Sequence, residues 1–227
     1  MKLRMIPEAA RGHAGLRDNA PMNHLAHAFL AGANDEVLLG GLLGDFWRGA
    51  PDPHWPAAIR AGVVLHRKID VYTDSHADVA AARALFAPPL RRYAGILLDV
   101  YFDHVLAAQW PRHAREPLAA LSAHVQRLLQ ANRHWLPPQL NRFADYFHHA
   151  GLFASYAERA MIERVLAGIG RRLKHDSPLA SAGPALWQRD AELNAAFARF
   201  FPELVAFATL KREELLAEIG GNSDRSC

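Results

Sequence analysis

One cysteine, Cys227, stands at the final position of this 227-residue chain, which excludes an internal disulfide and any metal site built on cysteine thiolates. No apolar run reaches the roughly 18 residues that a membrane span requires, and residues 1–21 lack the apolar core of a signal peptide. The expectation is a soluble, cytoplasmic protein. Alternation of β-branched residues is scarce, so little of the chain is suited to strands. Charge of neither sign dominates, since the formal net charge is only +3.

Alanine and leucine fill the space these absences leave, in a chain that is 51% hydrophobic. That content can bury one sizeable core, and the fold class it predicts is all-α: a single-domain helical bundle over residues 22–217. An unstructured N-terminal lead is expected at 1–21 and a frayed tail at 218–227, with Met22 as well as Met1 a candidate start. Helices are expected at about 23–32, 36–48, 55–75, 77–86, 90–110, 116–133, 138–148, 152–173 and 185–217. Proline marks the breaks, at Pro51, Pro53 and Pro56, at Pro88-Pro89 and at Pro137-Pro138. No repeat or low-complexity tract divides the chain.

Chemistry concentrates in two helical stretches. Residues four apart share a helix face, so His66, Asp70 and Asp74 line one stripe and Asp99 and Asp103 another. Side by side, two such helices would present several carboxylate oxygens and one or two imidazoles to a single point, a mixture suited to Mn²⁺, Mg²⁺ or Fe²⁺. The plainer reading of His66 with Asp70 is a solvent-facing ion pair. Asp99 and Asp103 lie in a run, Gly95 to Leu106, so apolar that its helix should be buried, and a buried carboxylate needs a partner or a metal.

Two further segments carry single polar groups among apolar neighbours. In Gly40-Gly41-Leu42-Leu43-Gly44-Asp45 no P-loop or dinucleotide fingerprint is present; the small residues would let the helix approach a neighbour closely, leaving Asp45 as either a buried structural carboxylate or a metal ligand. His27, in Asn23-His24-Leu25-Ala26-His27, reads first as a hydrogen-bonded core residue. His54, His76, His113, His124, His134 and His175 lie in loops or on polar faces. His148-His149, near Tyr146, has no clear assignment.

Taken in order, these blocks resemble the acyl carrier protein phosphodiesterases, a divergent branch of the HD-type metal-dependent phosphohydrolases. The resemblance begins with Met22, Asn23, Leu25, Ala26 and His27 and includes Asp45-Phe46 and Arg48-Gly49. It is strongest in His66-Arg67-x-Ile69-Asp70-Val71-x-Thr73-Asp74 and continues through Leu98-Asp99-Val100, Asp103-His104 and Trp110, then more loosely through Val165-Leu166-x-Gly168. One departure from the general HD pattern is that the adjacent pair is Asp103-His104, with the aspartate first.

The resemblance implies hydrolysis of the phosphopantetheine-serine phosphodiester of holo acyl carrier protein, aided by a divalent metal, preferably manganese. On that reading Asp45, His66, Asp70, Asp103 and His104 are candidate ligands. Asp74, Asp99 or His27 would manage the proton of the leaving serine oxygen, and Arg67 or Lys68 would neutralise the diester or point to solvent. The partner would be a small acidic helical protein, for which Arg91-Arg92 and Arg171-Arg172-Lys174 are candidate steering charges or simply a solvated face. Neither nucleic acid nor membrane is expected as a partner. Two other classes stay open: an HD-type hydrolase of a small nucleotide, and a non-catalytic helical adaptor.

Overall fold

The structure, a computed structural model, describes residues 23–150, 152–173 and 176–223. The expected lead at 1–21, Met22, Lys174, His175 and the last four residues lie outside the described residues, as do the side chains at 146–150 that include His148 and His149. Eleven α-helices and no strand occur among the described residues. The chain is all-α.

Short helices α1 (His24–Leu30) and α2 (Asp35–Leu43) lead into α3 (Ala57–Ser75) and α4 (Ala77–Ala84). A central helix α5 (Ala94–Ala108) is followed by α6 (Leu118–Ala131), α7 (Pro138–Ala150), α8 (Leu152–Ser155), α9 (Arg159–Arg172), α10 (Gly183–Trp187) and the long α11 (Asp190–Ser223). Twelve of the fifteen residues of α5 are buried, as expected from its unbroken apolar run. Around it lie α1, α4 and α9, while α11 packs along α3 and α4 and touches α1 and α5. One segment of α11, Asp190–Gly220, is long and apolar enough by length and composition to cross a membrane. Its apolar side is spent inside the bundle, where Leu193, Phe197, Phe200, Phe201, Leu204 and Ala208 join the core.

Local signals account for where the helices start. Asn34 caps α2 by accepting a hydrogen bond from the Val37 amide, with Asp35 and Glu36 in the first turn, where carboxylates oppose the helix dipole. Pro56 precedes α3, and the His76 ring accepts from the Asp78 amide to open α4.

The backbones of α2 and α3 approach each other closely. A methyl group built on Gly40 would lie 2.0 Å from the Ile59 carbonyl oxygen, and one on Gly62 2.2 Å from that of Val37. Only hydrogen at both positions lets the two backbones meet, as the small residues at 40–44 suggest. Gly44 does the same for a side chain, since a methyl there would fall 2.2 Å from Cγ of His66.

Several boundaries differ from the sequence expectation for physical reasons. The helix expected at 36–48 stops at Leu43, and residues 44–49 form a turn whose Trp47 and Gly49 carbonyls accept from Arg67 at 2.8 and 2.5 Å. The helix expected at 152–173 divides at residues 156–158, where the Tyr156 carbonyl turns to accept from His104 Nδ1 at 2.8 Å. That expected at 185–217 divides before Asp190, whose carboxylate accepts from the Tyr101 hydroxyl at 2.7 Å, and then runs on through Gly220 to Ser223.

Candidate metal centre

Two helices and one turn converge on a cluster of imidazoles and carboxylates. From α1 come His24 and His27, three residues apart and therefore on one face; from the turn after α2 comes Asp45; from α3 come His66 and Asp70. Ligand atoms of His27, His66 and Asp70 lie within 4.8 Å of one another. His66 Nε2 stands 3.5 Å from Asp45 Oδ1 and 3.4 Å from Asp70 Oδ2, while His27 Nε2 is 3.3 Å from Asp70 Oδ1. His24 Nδ1 is 3.6 Å from the other oxygen of Asp45. The rings of His27 and His66 stack with centroids 3.8 Å apart, and Phe143 of α7 lies over the ring of His24 at 4.4 Å.

The three histidines are buried, whereas the carboxylates of Asp45 and Asp70 keep 24% of their side-chain exposure. Those two oxygen-bearing groups therefore form the mouth.

Charge is distributed unevenly over the five groups. Burial holds His24 neutral, lowering its pKa to about 4 against the pull of Asp45 and with help from His27 and His66. Burial and the neighbouring His66 keep His27 below the ordinary imidazole value, although Asp70 opposes them. For His66 burial works in the same direction, but Asp70 and Asp45 prevail and raise it to about 10. The two carboxylates lie below the usual range despite the burial that opposes their ionisation, chiefly because His66 faces both. At neutral pH the cluster thus carries two carboxylates and one imidazolium.

This donor set fits a divalent cation. Both ring nitrogens of His24 and of His27, and Nδ1 of His66, are buried with no hydrogen-bond partner, and a buried polar atom left in that condition costs about 1–3 kcal/mol. Imidazole nitrogen mixed with carboxylate oxygen, and no thiolate, suits a borderline to hard ion.

Four of the residues expected at the site meet in it: His27, Asp45, His66 and Asp70. The others have different surroundings. Asp103 comes close, but its two oxygens accept from the backbone amides of Leu25 and Ala26 at 3.0 and 2.9 Å. It supplies the N-terminal cap that α1 lacks, since Asn23 makes no side-chain cap and sits at φ 60°. Burial raises its pKa to about 7, against those two hydrogen bonds and assisted by the charge on Asp45. The expectation that His104 accompanies Asp103 into the site is corrected. Neighbours on a helix point about 100° apart, and the His104 ring lies instead by Trp187 and Tyr101, with centroids 5.4 and 5.9 Å away.

Asp74, one turn beyond Asp70, pairs with Arg83 at 2.6 Å. Arg67 grips the 44–49 turn as described, so its guanidinium is committed to two carbonyls. Asp99 lines a small cavity next to His27. Arg92 lies on the 3-10 turn Leu90–Tyr93 that leads into α5. Sequence reasoning did not single out His24, although its spacing of three from His27 was the available signal.

Residues 22–204 match the sequence model of a family described as acyl carrier protein phosphodiesterase. A protein of that name from Photorhabdus laumondii subsp. laumondii is 34% identical over 191 residues, covering 84% of this chain and 96% of the relative. One from Klebsiella pneumoniae subsp. pneumoniae is 35% identical over 192 residues, and one from Serratia proteamaculans 34% over 194, each covering 84% of this chain and 100% of the relative. No solved structure matches.

Proposed function

The chain belongs to the acyl carrier protein phosphodiesterase family, and from that premise we propose that it removes phosphopantetheine from holo acyl carrier protein at a divalent metal centre formed by His27, Asp45, His66 and Asp70, with His24 beside them. The reaction is hydrolysis of a phosphodiester, giving apo carrier protein and free phosphopantetheine. The observation that carries this reading is the convergence of buried, unpartnered imidazole nitrogens with two ionised carboxylates at a partly open mouth.

A divalent ion bound there supplies a water of lowered pKa and polarises a phosphoryl oxygen; Mn²⁺ is the ion proposed, with Mg²⁺ and Fe²⁺ as the alternatives that the donor set also suits. The chain's own residues fix the setting. Asp103 holds α1, and with it His24 and His27, by two backbone hydrogen bonds. Arg67 holds the turn that presents Asp45. His66 would have to give up its proton to serve as a ligand, whereas Asp45 and Asp70 are already ionised. Because Asp74 is engaged by Arg83 and Arg67 by the turn, we assign both to positioning and neither to the reacting phosphate.

The acidic carrier would meet Arg48 and Lys68, exposed and close in sequence to Asp45 and Asp70. The exposed Arg91, Arg92, Arg171 and Arg172 would add to steering only within about a Debye length, roughly 8 Å at physiological salt. The HD-type ancestry is proposed on the mixed histidine and aspartate helices alone. We place the reaction in the cytoplasm, where carrier proteins work.

Incubation with holo acyl carrier protein and Mn²⁺, followed by mass spectrometry of the carrier, tests the reading. Loss of the phosphopantetheine mass supports it. Metal binding without that loss would favour a small-nucleotide hydrolase, and failure to bind any divalent ion would favour an adaptor.

A further inference from the structure

Beside His27 lies a cavity of about 30 Å³, between α1, α3, α5 and α11. Its polar lining comes from Asn23, His27, Thr73 and Asp99, and the rest is aromatic and aliphatic, including Phe102 and Phe201. A space of this size admits one water, and water enters such a space only where several polar groups receive it. His27 supplies an unusual demand at this point. Its Nε2 faces Asp70, 3.3 Å away, while its Nδ1 is buried without a hydrogen-bond partner.

Ligating imidazoles almost always give the N–H of their other nitrogen to a carboxylate, a carbonyl or a water, which fixes the ring and raises its basicity. The cluster's own carboxylates, Asp45 and Asp70, are at the mouth. Asp99 lines this cavity together with His27 and is half-buried on α5, and its helix is held to α1 by the Asp103 cap. Thr73 stands one turn beyond Asp70 on α3 and offers a hydroxyl to the same space.

We propose that Asp99 is a positioning residue for His27, acting through one water that occupies this cavity, accepts from His27 Nδ1–H and donates to the Asp99 carboxylate, with Thr73 as a further anchor. The inference rests on the metal-centre reading above. It assigns Asp99 a role in aiming a ligand and none in moving the proton of the leaving serine. Outer partners of ligating histidines typically contribute 10–100-fold to metal affinity.

Mn²⁺ affinity of the full chain, read from the electron paramagnetic resonance of the free ion, tests this for the parent, Asp99→Asn, Asp99→Glu and Thr73→Val. Asp99→Asn keeps the shape and removes the charge, and should weaken Mn²⁺ binding about tenfold with the melting temperature of the metal-free protein unchanged. Asp99→Glu, whose added methylene fills the space of the water and brings the carboxylate to the ring, should recover affinity to within about threefold of the parent. Thr73→Val should lose less than Asp99→Asn. A loss under about threefold in Asp99→Asn, or a larger loss accompanied by a lower melting temperature of the metal-free protein and unrescued by Glu, overturns the assignment. A parent protein that binds no Mn²⁺ overturns the metal-centre reading itself, so the two failures are distinct.

Discussion

Binding of a divalent cation to the cluster should expel one proton, and His66 should be its source. At pH 8 Asp45 and Asp70 are already ionised, His24 and His27 are already neutral, and Asp103, at about 7, is mostly ionised. His66, held at about 10 by the two carboxylates, remains protonated by about a hundred to one. A cation and a proton compete for its Nε2 lone pair, so apparent affinity should rise about tenfold, or about 1.4 kcal/mol, for each pH unit above 8 until the pKa is reached. Titration calorimetry with Mn²⁺ at pH 8 in buffers of different ionisation enthalpy reads the protons released as the slope of apparent heat against buffer enthalpy. The parent minus His66→Asn difference in that slope should be about one. A difference near zero, or an affinity that is flat between pH 8 and 9.5, would refute the charge distribution argued from the geometry.

Gly40→Ala should destabilise strongly, because its new methyl meets the Ile59 backbone carbonyl with no flexible atom to yield; overpacking of this kind costs about 3 kcal/mol or more, a fall of roughly 6–12 °C in melting temperature for a chain of this size. His24→Gln should alter the acid limb of metal-free stability. The folded protein keeps His24 neutral to about 4 while the unfolded chain protonates it near 6.5, so the folded state binds fewer protons across that window and the parent loses up to about 3 kcal/mol as pH falls through it. Chemical denaturation at pH 7 and pH 4.5 should show a smaller decrease in the variant, and an identical decrease would exclude His24 as the cause. Arg67→Met should release the turn that carries Asp45, weakening Mn²⁺ binding several-fold with little effect on helix content by circular dichroism; unaltered binding would show that the turn holds its shape unaided.

The all-α class and the shared face of His66 and Asp70 are legible because they depend on short-range periodicity. His66 and Asp70 are four apart on one helix, and a spacing of four needs no knowledge of tertiary structure. Asp45 and His27 could be marked only as polar groups in apolar company, since what faces them comes from other elements. Asp103 shows the limit of that logic. A buried carboxylate does need a partner, but the partner here is a pair of backbone amides nearly eighty residues away, and an amide leaves no mark in the sequence. His104 was expected at the site through adjacency, which on a helix separates side chains. The divisions at 156–158 and before Asp190 were hidden for a related reason: each is set by a contact from α5, through His104 and Tyr101.

The cap on α1 also implies an order of assembly for a chain emerging from its N-terminus. A helix of seven residues with no side-chain cap of its own is too short to persist alone, and the carboxylate that completes it belongs to residue 103. A nascent chain ending before α5 therefore contains all five residues of the histidine-aspartate cluster and yet lacks the carboxylate that caps the helix bearing two of its imidazoles. On the proposed metal-centre reading, capture of a cation by all five groups would wait until the central helix has been made and docked.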